Sequence, residues 1–519
     1  MTAEAGPADR TEGQDSAREK AQAQRPWLRL DKRLIAVDLV QLVAAQLPTL
    51  VAVAVFDVPP TLESLWPVVI IAGIGVATSV NNIVRWIKTR YRVTEEYVER
   101  RTGLFVRRYR SVRRDRIRSV DSQANLRMRV AGLRVVYFGA GQQNTAGEQA
   151  LSLNAVSKKT AQRLRRELTG AGEEPAGTEP DGDVFARVRY RWVVYNIFNV
   201  WAYAAAVGLL VSAFVLATTF GIDLWGPAAR VFDPDVLGWG GAVALALPAV
   251  GAVGVGSLAV SFFTGYWKFT LSRVTTDGGT VLRTRQGLLR TREVNRDDAR
   301  LRGAKLTEPL LWRWMGLTET SVITTGLSVW SDAPVILPRG PRSVARQVVD
   351  RVLGEEERPL DAGLARHPAG ALRRRLLWAS LFTGTVVAGT AWSGAMTDAV
   401  GPDAWWITAV VLGPVALLLA LAAYRALGHA VAGAYLVMRS GMMSRGTAAL
   451  RRHAVSGVAV RQSLLQRRMG LASVTVTTAA GEGAYEALDM AVDDALSFAA
   501  DGPPGILEPF LVREGPRNR

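Results

Sequence analysis

Six long apolar blocks constrain this chain more than any other feature. A helix needs about 20 apolar residues to cross a bilayer core of about 30 Å. Blocks of that length occupy residues 34–58, 65–87, 193–220, 237–265, 376–396 and 404–423. They fall into three close pairs, each followed by a long polar stretch. The pattern predicts an integral membrane protein with six transmembrane helices in three hairpins. Pro48, Pro248 and Pro414 lie inside the blocks, which spans tolerate better than soluble helices do.

Charge sets the expected orientation. The short connectors within the pairs hold Asp57, Glu63, Asp223, Asp233, Asp235, Asp398 and Asp403 against a single basic residue, Arg230. The opposite ends carry Arg29, Lys32, Arg33, Arg85, Lys88, Arg187, Arg189, Arg191, Lys268, the run Arg373-Arg374-Arg375 and Arg425. Basic residues gather on the cytoplasmic side, so both termini and the three polar stretches are expected in the cytoplasm, with the protein in the cell membrane. Trp66, Trp225, Trp239, Trp405 and Trp406 sit at the outer ends, as interfacial Trp does.

The polar stretches repeat one another. Gly103, Gly287 and Gly441 each follow a short strand-like run, and Gly132, Gly316 and Gly470 each come 29 residues later. Each second glycine is followed by Leu (Leu133, Leu317, Leu471). It is preceded by Arg at three positions (Arg129, Arg313, Arg467) and by Leu at six (Leu126, Leu310, Leu464). Several coincident positions, three times over, indicate duplication of a hairpin-plus-domain unit. Alternating, β-branched runs such as Leu133-Arg134-Val135-Val136-Tyr137-Phe138 and Ser473-Val474-Thr475-Val476-Thr477 predict strands. The Leu126-to-Gly132 type of segment predicts a helical turn with a glycine cap. An amphipathic helix closes each unit, over 161–168, 343–353 and, less distinctly, 491–500. Short strands ending in one helix point to a small β-rich domain, a bent antiparallel sandwich or barrel capped by a helix.

With the "YRVTEEYVERRTGLF" strand region (Tyr91 to Phe105) and the "LRMRVAGL" segment (Leu126 to Leu133) in view, the chain resembles the YdbT-type bacterial membrane proteins, in which helix pairs alternate with pleckstrin-homology-like (PH-like) domains. The resemblance covers residues 30–500. It implies that each β-rich segment is a PH-like domain. The second unit departs from the pattern with Gly278-Gly279, and the third is the most degenerate. The expected organisation is an N-terminal tail (1–26), hairpin 1 (27–89), PH-like domain 1 (90–170), a linker (171–186), hairpin 2 (187–265), domain 2 (266–354), a linker (355–371), hairpin 3 (372–428), domain 3 (429–500) and a C-terminal tail (501–519).

Composition narrows the function. The formal net charge is +17, carried mostly by Arg, and there is no Cys, so disulfides and thiolate metal sites are excluded. The three His (His367, His429, His453) lie far apart in sequence, which argues against a metal site; no cofactor is expected. No nucleophile elbow, P-loop or HExxH motif appears, and the chain reads as non-enzymatic. Nucleic acid is not an expected partner, since no recognition helix or stacking platform is visible. The sharpest local feature is an Arg cluster: Arg107, Arg108, Arg110, Arg113, Arg114, Arg116 and Arg118. It reads either as a contact for anionic lipid headgroups, worth about 1 kcal/mol per basic group, or as a solvated strand face partnered by Asp115 and Asp121. The Gly-rich run from Gly238 to Gly256 reads as a close-packing helix face. Two functions follow as expectations. One is a membrane scaffold whose three cytoplasmic domains bind a membrane or cytoplasmic protein partner, or the membrane surface, in envelope stress or membrane homeostasis. The other is a lipid-handling or transport protein whose domains gate a conduit or bind headgroups.

Overall fold

A computed structural model describes residues 26–44, 62–103, 107–117, 119–139, 151–169, 183–197, 201–219, 223–276, 279–325, 334–354, 357–397, 401, 403–502 and 504–505. They fall into two compact units, residues 1–297 and 298–519. The tail over 1–25, most of the linker over 171–186 and the segment beyond 505 lie outside the described residues.

In the first unit, strand β1 (Leu28–Arg29) precedes helices α1 (Arg33–Ala44) and α2 (Leu62–Lys88). Strands β2 (Arg90–Val93), β3 (Tyr97–Thr102) and β4 (Arg108–Arg113) follow, then β5 (Ser119–Asn125) and the one-turn helix α3 (Leu126–Val130). Strands β6 (Leu133–Gly139) and β7 (Leu151–Ser157) lead into helix α4 (Lys158–Thr169). The second repeat opens with β8 (Asp183–Arg187), helices α5 (Val193–Ile197), α6 (Trp201–Thr219), α7 (Trp225–Val231) and α8 (Pro234–Gly265), then β9 (Thr270–Thr276), β10 (Gly279–Gln286) and β11 (Arg290–Asp297).

The second unit continues with β12 (Leu301–Pro309), α9 (Leu310–Trp314), β13 (Leu317–Thr324), β14 (Val335–Pro341) and α10 (Arg342–Leu353). Helices α11 (Ala369–Met396) and α12 (Ala404–Arg425) come next, then β15 (Gly428–Ala432), β16 (Tyr435–Ser440) and β17 (Ser444–Arg451). The chain closes with β18 (Val455–Arg461), α13 (Leu464–Arg468), β19 (Leu471–Thr478), β20 (Ala484–Ala491) and α14 (Val492–Asp501). The third repeat, expected to be the most degenerate, thus forms the same two runs of three strands and a closing helix as the first. The closing helices in all three repeats fall where their amphipathic patterns predict.

The first and third repeats are each built from two half-sheets. In the first, Val98 and Val112 of one half share a core with Val120, Phe138, Leu151 and Leu153 of the other, closed by Leu164 of α4. In the third, Leu436, Met438 and Leu450 share a core with Val474, Val476 and Met490, closed by Phe498 of α14. Both match the expected helix-capped sandwich. Alternate strand residues point inward because successive Cβ atoms lie on opposite faces. At about 25 cal/mol per Å² of apolar surface removed from water, these clusters are what hold each pair of half-sheets together.

A strand on the way into each helix pair bonds to the first strand on the way out. Arg29 lies opposite Arg90, Arg187 opposite Thr270, and Ala365 bridges His429. Both ends of each helix-containing segment are therefore tied to one sheet. In the third repeat this recruits part of the expected linker: Leu360 and His367 are buried.

By length and composition, three helices among the described residues are apolar enough to cross a membrane: α8, α11 and α12; residues 45–61, which include much of the expected first span, lie outside them. A fourth counts if a bent pair is one span. That pair overlaps the expected third span, of which residues 198–200 lie outside the described residues. The helices over Tyr190–Ile197 and Ala202–Val215 are bent by 86°. The first piece is held locally: Trp192 is buried, and Tyr190 packs on Phe263 and Trp267 with ring centroids 6.0 and 5.7 Å apart. The small-residue run of α8 packs closely at Gly251 and Gly254, whereas Gly238, Gly240 and Gly256 border open space. A Cβ on Gly254 would stand 2.1 Å from the Ala202 carbonyl oxygen, and Ala202 and Ala206 are buried there. Phe382, Trp392, Val410 and Leu418 on α11 and α12 are exposed, an apolar surface suited to lipid and costly in water.

Candidate functional site: strand joints and an arginine edge

The repeats are not separate beads. The second half-sheet of one repeat continues, strand against strand, into the first half-sheet of the next. The first unit holds a seven-stranded sheet ordered β7-β6-β5-β11-β10-β9-β8, and the second a six-stranded sheet ordered β14-β13-β12-β17-β16-β15. The two joints are β5 against β11 and β12 against β17, both antiparallel. In the first, Asn125 faces Arg290, Ala124 faces Thr291, Gln123 faces Arg292 and Ser122 faces Glu293. In the second, pairing runs from Pro309 opposite Ser444 to Gly303 opposite Leu450. Aligned through their glycines, the two joints share one register.

The repeated sequence motif is the hardware of these joints. Gly103, Gly287 and Gly441 adopt φ of 121°, 105° and 124°, a region open to glycine and strained for other residues. A Cβ would stand 1.9 Å from the Arg290 oxygen at Gly287 and 1.9 Å from the Ser444 oxygen at Gly441. Those turns aim the incoming strand. Gly132, Gly316 and Gly470, at φ of 71°, 69° and 64°, end the one-turn helix that follows the accepting strand. The carbonyls of Gly132 and Gly316 also take the first amide of the closing helix, from Lys158 and Arg342. The motif Arg and Leu reach across: Arg129 Nη1 donates to the Leu288 carbonyl at 2.9 Å, and the Leu310 amide donates to the Met443 carbonyl at 2.7 Å.

Side chains distinguish the joints. At the first, Arg290 donates to the Gln123 side chain and the Thr291 hydroxyl to the Ala124 carbonyl at 3.4 Å. At the second, a buried carboxylate takes over: Glu308, 3% exposed, accepts Arg445 Nε at 2.6 Å and Arg342 Nε at 2.5 Å. Arg313 lies near enough for Arg445 and Glu308 to influence it, and burial, the largest cause, pushes its pKa down.

The described residues of the predicted Arg cluster have different settings. Arg108, Arg110 and Arg113 lie on β4, Arg107 just before it, and Arg114 and Arg116 on the 3-10 turn after it. Arg118 lies outside the described residues. Arg107 and Arg108 are exposed. Arg113 pairs with Asp115 at 3.2 Å. Arg114 is tied inward to the Thr94 carbonyl at 3.3 Å and to the Glu167 carbonyl. What the cluster does provide is a positively charged outer edge, since β4 ends its four-stranded sheet.

One buried polar group escaped the sequence reading. Asp489, 1% exposed, sits at φ 56° in β20, where residues 488–489 bulge opposite Ser473. Its carboxylate accepts Arg374 and Arg375, each at 2.6 Å, and Gln466 Nε2 at 2.8 Å. Two of the three arginines that mark topology in the sequence are thus also a clamp joining the start of α11 to the third domain. Beside it, two histidines distant in sequence meet: His429 Nδ1 lies 3.2 Å from His367 Nε2, and His367 Nδ1 lies 3.0 Å from the Asp489 carbonyl. A carbonyl only accepts, so His367 carries its proton on Nδ1 and His429 donates to His367 Nε2. Burial lowers the pKa of both, that of His429 to about 4. Among the described residues no group of three or more His, Cys, Asp or Glu is placed to hold a metal.

The model of the bacterial PH domain matches residues 42–171 and 380–500, the first and third repeats with part of their helices. Over 419 residues the chain is 21% identical to UPF0699 transmembrane protein YdbT of Bacillus subtilis (strain 168), across 76% of this chain and 80% of that one. No solved structure matches. The resemblance to YdbT-type proteins stands: this is a transmembrane protein carrying bacterial PH domains.

Proposed function

We propose that the chain is a non-enzymatic, multi-pass scaffold of the cell membrane. Its three hairpins hold three PH-like domains at the cytoplasmic face, where they bind protein partners or the membrane surface. The observation that carries this reading is the tie between the strands entering and leaving each helix segment, Arg29 with Arg90, Arg187 with Thr270 and Ala365 with His429. Both ends of a segment so tied emerge on one side of the membrane, and the basic residues at those ends make that side cytoplasmic. Domains tethered to one surface act at high effective concentration, so weak contacts per domain suffice. The natural absence of Cys allows a direct test. Ser497→Cys on α14 should be shielded from an impermeant thiol reagent in intact cells and Thr397→Cys should be labelled; the reverse pattern sinks the orientation.

A lipid-handling role is the second reading, favoured by the exposed Arg107 and Arg108 beside Tyr109 on the β4 edge. Crosslinking in cells followed by mass spectrometry separates the two. A recurrent protein joined to the domains supports the scaffold, whereas crosslinks confined to the chain, with phospholipid retained stoichiometrically, support lipid handling.

A further inference from the structure

Two joints connect three repeats, which leaves one accepting edge and one incoming strand unused. Strand β18 occupies the place in the third repeat that β5 and β12 occupy in the first and second. It ends its three-stranded sheet, ordered β18-β19-β20, with no strand across its outer edge among the described residues. Strand β4 occupies the place of β11 and β17 and likewise ends its sheet. We propose that β18 of one copy of this protein accepts β4 of a second copy, extending the internal head-to-tail joint from chain to chain.

Three observations choose this occupant. The two internal joints use the same register with different side chains, so the pairing is a property of the repeat's backbone and the third repeat keeps that backbone. Gly441 and Gly470 hold the same turns as their counterparts. The mouth of the third joint is also visibly uncovered. Leu464, the counterpart of Leu310 whose amide crosses the second joint, is 84% exposed, and Val460 is 43% exposed. Finally, β18 reads Val-Ser-Gly-Val-Ala-Val before its first charge at Arg461. An apolar edge without a guarding charge is a template for another strand, whereas β4 carries Arg108, Arg110 and Arg113 and is guarded against pairing with itself.

Carrying the shared register over residue by residue places Arg107 opposite Gln462, Arg108 opposite Arg461 and Tyr109 opposite Val460. The first pair repeats Arg445 opposite Glu308 in the second joint with an uncharged acceptor. The second sets like charges face to face, which weakens the contact. The assembly is therefore a weak one that salt strengthens. The symmetry is heterologous: such contacts close into rings or run on as filaments. This inference holds or fails independently of whether other proteins bind the domains.

The test uses the full chain in its membrane. Two differently tagged copies, one carrying Arg461→Cys and the other Arg108→Cys, are co-expressed and treated with a short bifunctional thiol reagent. A mixed product joining the two copies is the expected result. A product only when both cysteines sit on one chain, a product only between two Arg461→Cys copies, or no product at all each overturns the proposal. Charge reversal checks the register without cysteines. Arg461→Glu should raise co-purification of two tagged copies about fivefold at low salt, and adding Arg108→Glu to the same chain should cancel the gain. Equal co-purification of all three proteins overturns the register and with it the proposal.

Discussion

The two internal joints have one backbone geometry and two chemistries. In the first, the accepting strand is uncharged: Gln123, Asn125 and Ala124 face Arg292, Arg290 and Thr291. The second is centred on a buried Glu308 held by Arg342 and Arg445. The first extends only from Asn125 to Ser122, the second from Pro309 to Gly303. Register is thus set by the glycine turns that aim the incoming strand and end the accepting one, while side chains set how far the pairing runs and what disturbs it. Tandem duplication preserves the former and leaves the latter free to diverge.

The strongest challenge to that division is to remove the carboxylate. Glu308→Ala leaves Arg342 and Arg445 facing each other at a site 3% exposed. Removing one partner of a buried ion pair costs about 3–5 kcal/mol. Amide exchange over Ser444–Arg451 should accelerate sharply while Arg290–Asp297 is unchanged. Equal acceleration at both strands would mean that the joints are coupled and the comparison fails.

Acid should separate the two units next. At the start of the first strand after each helix-containing segment, the third repeat has His429 where the first has Tyr91, both buried. The folded state keeps His429 neutral down to about 4, against an ordinary value of 6.5. The unfolded chain therefore binds more protons between those values. The stabilisation is present in full above pH 6.5 and is lost as pH falls toward about 4. For His429 alone this amounts to about 3 kcal/mol, at about 1.4 kcal/mol per pKa unit. Burial raises the Tyr91 pKa above 10.0, so it stays neutral across this window. Urea unfolding followed from pH 7 to 4.5 should show residues 298–519 weakening before residues 1–297. His429→Gln should flatten that difference; an unchanged acid slope would place its source elsewhere.

Much of this architecture is legible in the sequence, and what is hidden is hidden for a physical reason. The glycine pairs, the motif Leu and Arg, and the closing helices all announce themselves because they are local: a turn, a cap, a 3.6-residue period. The joints do not, because an edge strand that pairs across repeats alternates like one that faces water. Arg129 was visible as a repeated residue, but its acceptor, the Leu288 carbonyl, lies far along the chain. The same holds for His367 with His429, and for Asp489 with Arg374 and Arg375. A lone Asp in a strand ending in a helix carries no sign of its burial. Within the Arg cluster, sequence neighbours have different settings: Arg114 bonds to the Thr94 and Glu167 carbonyls while Arg108 is exposed.

The length of the pairing offers a finer test. In the second joint, Gly303 lets the chains approach so closely that a Cβ there would stand 2.0 Å from the Ala449 carbonyl oxygen. Ser119 holds the aligned position in the first joint, where pairing stops at Ser122. Gly303→Ser should shorten the second joint toward the first and cost about 1–3 kcal/mol, the usual range for overpacking a tight site. Exchange should quicken at Ala449 and Leu450 while Arg445 and Gly446 stay protected. Loss of protection along the whole strand would show that the glycine holds the register and not just the reach.

The smallest expected effect is at the first joint itself. Gln123→Ala removes the acceptor of Arg290 but leaves the backbone ladder and a guanidinium near solvent. A hydrogen bond of this kind contributes about 1 kcal/mol, so the first unit's unfolding midpoint should fall slightly and exchange at Arg290 should rise only modestly. A loss as large as that of Glu308→Ala would mean that side chains, not the glycine turns, fix the first joint. The shared register would then be the outcome of two separate solutions, and its extension to β18 would lose its footing.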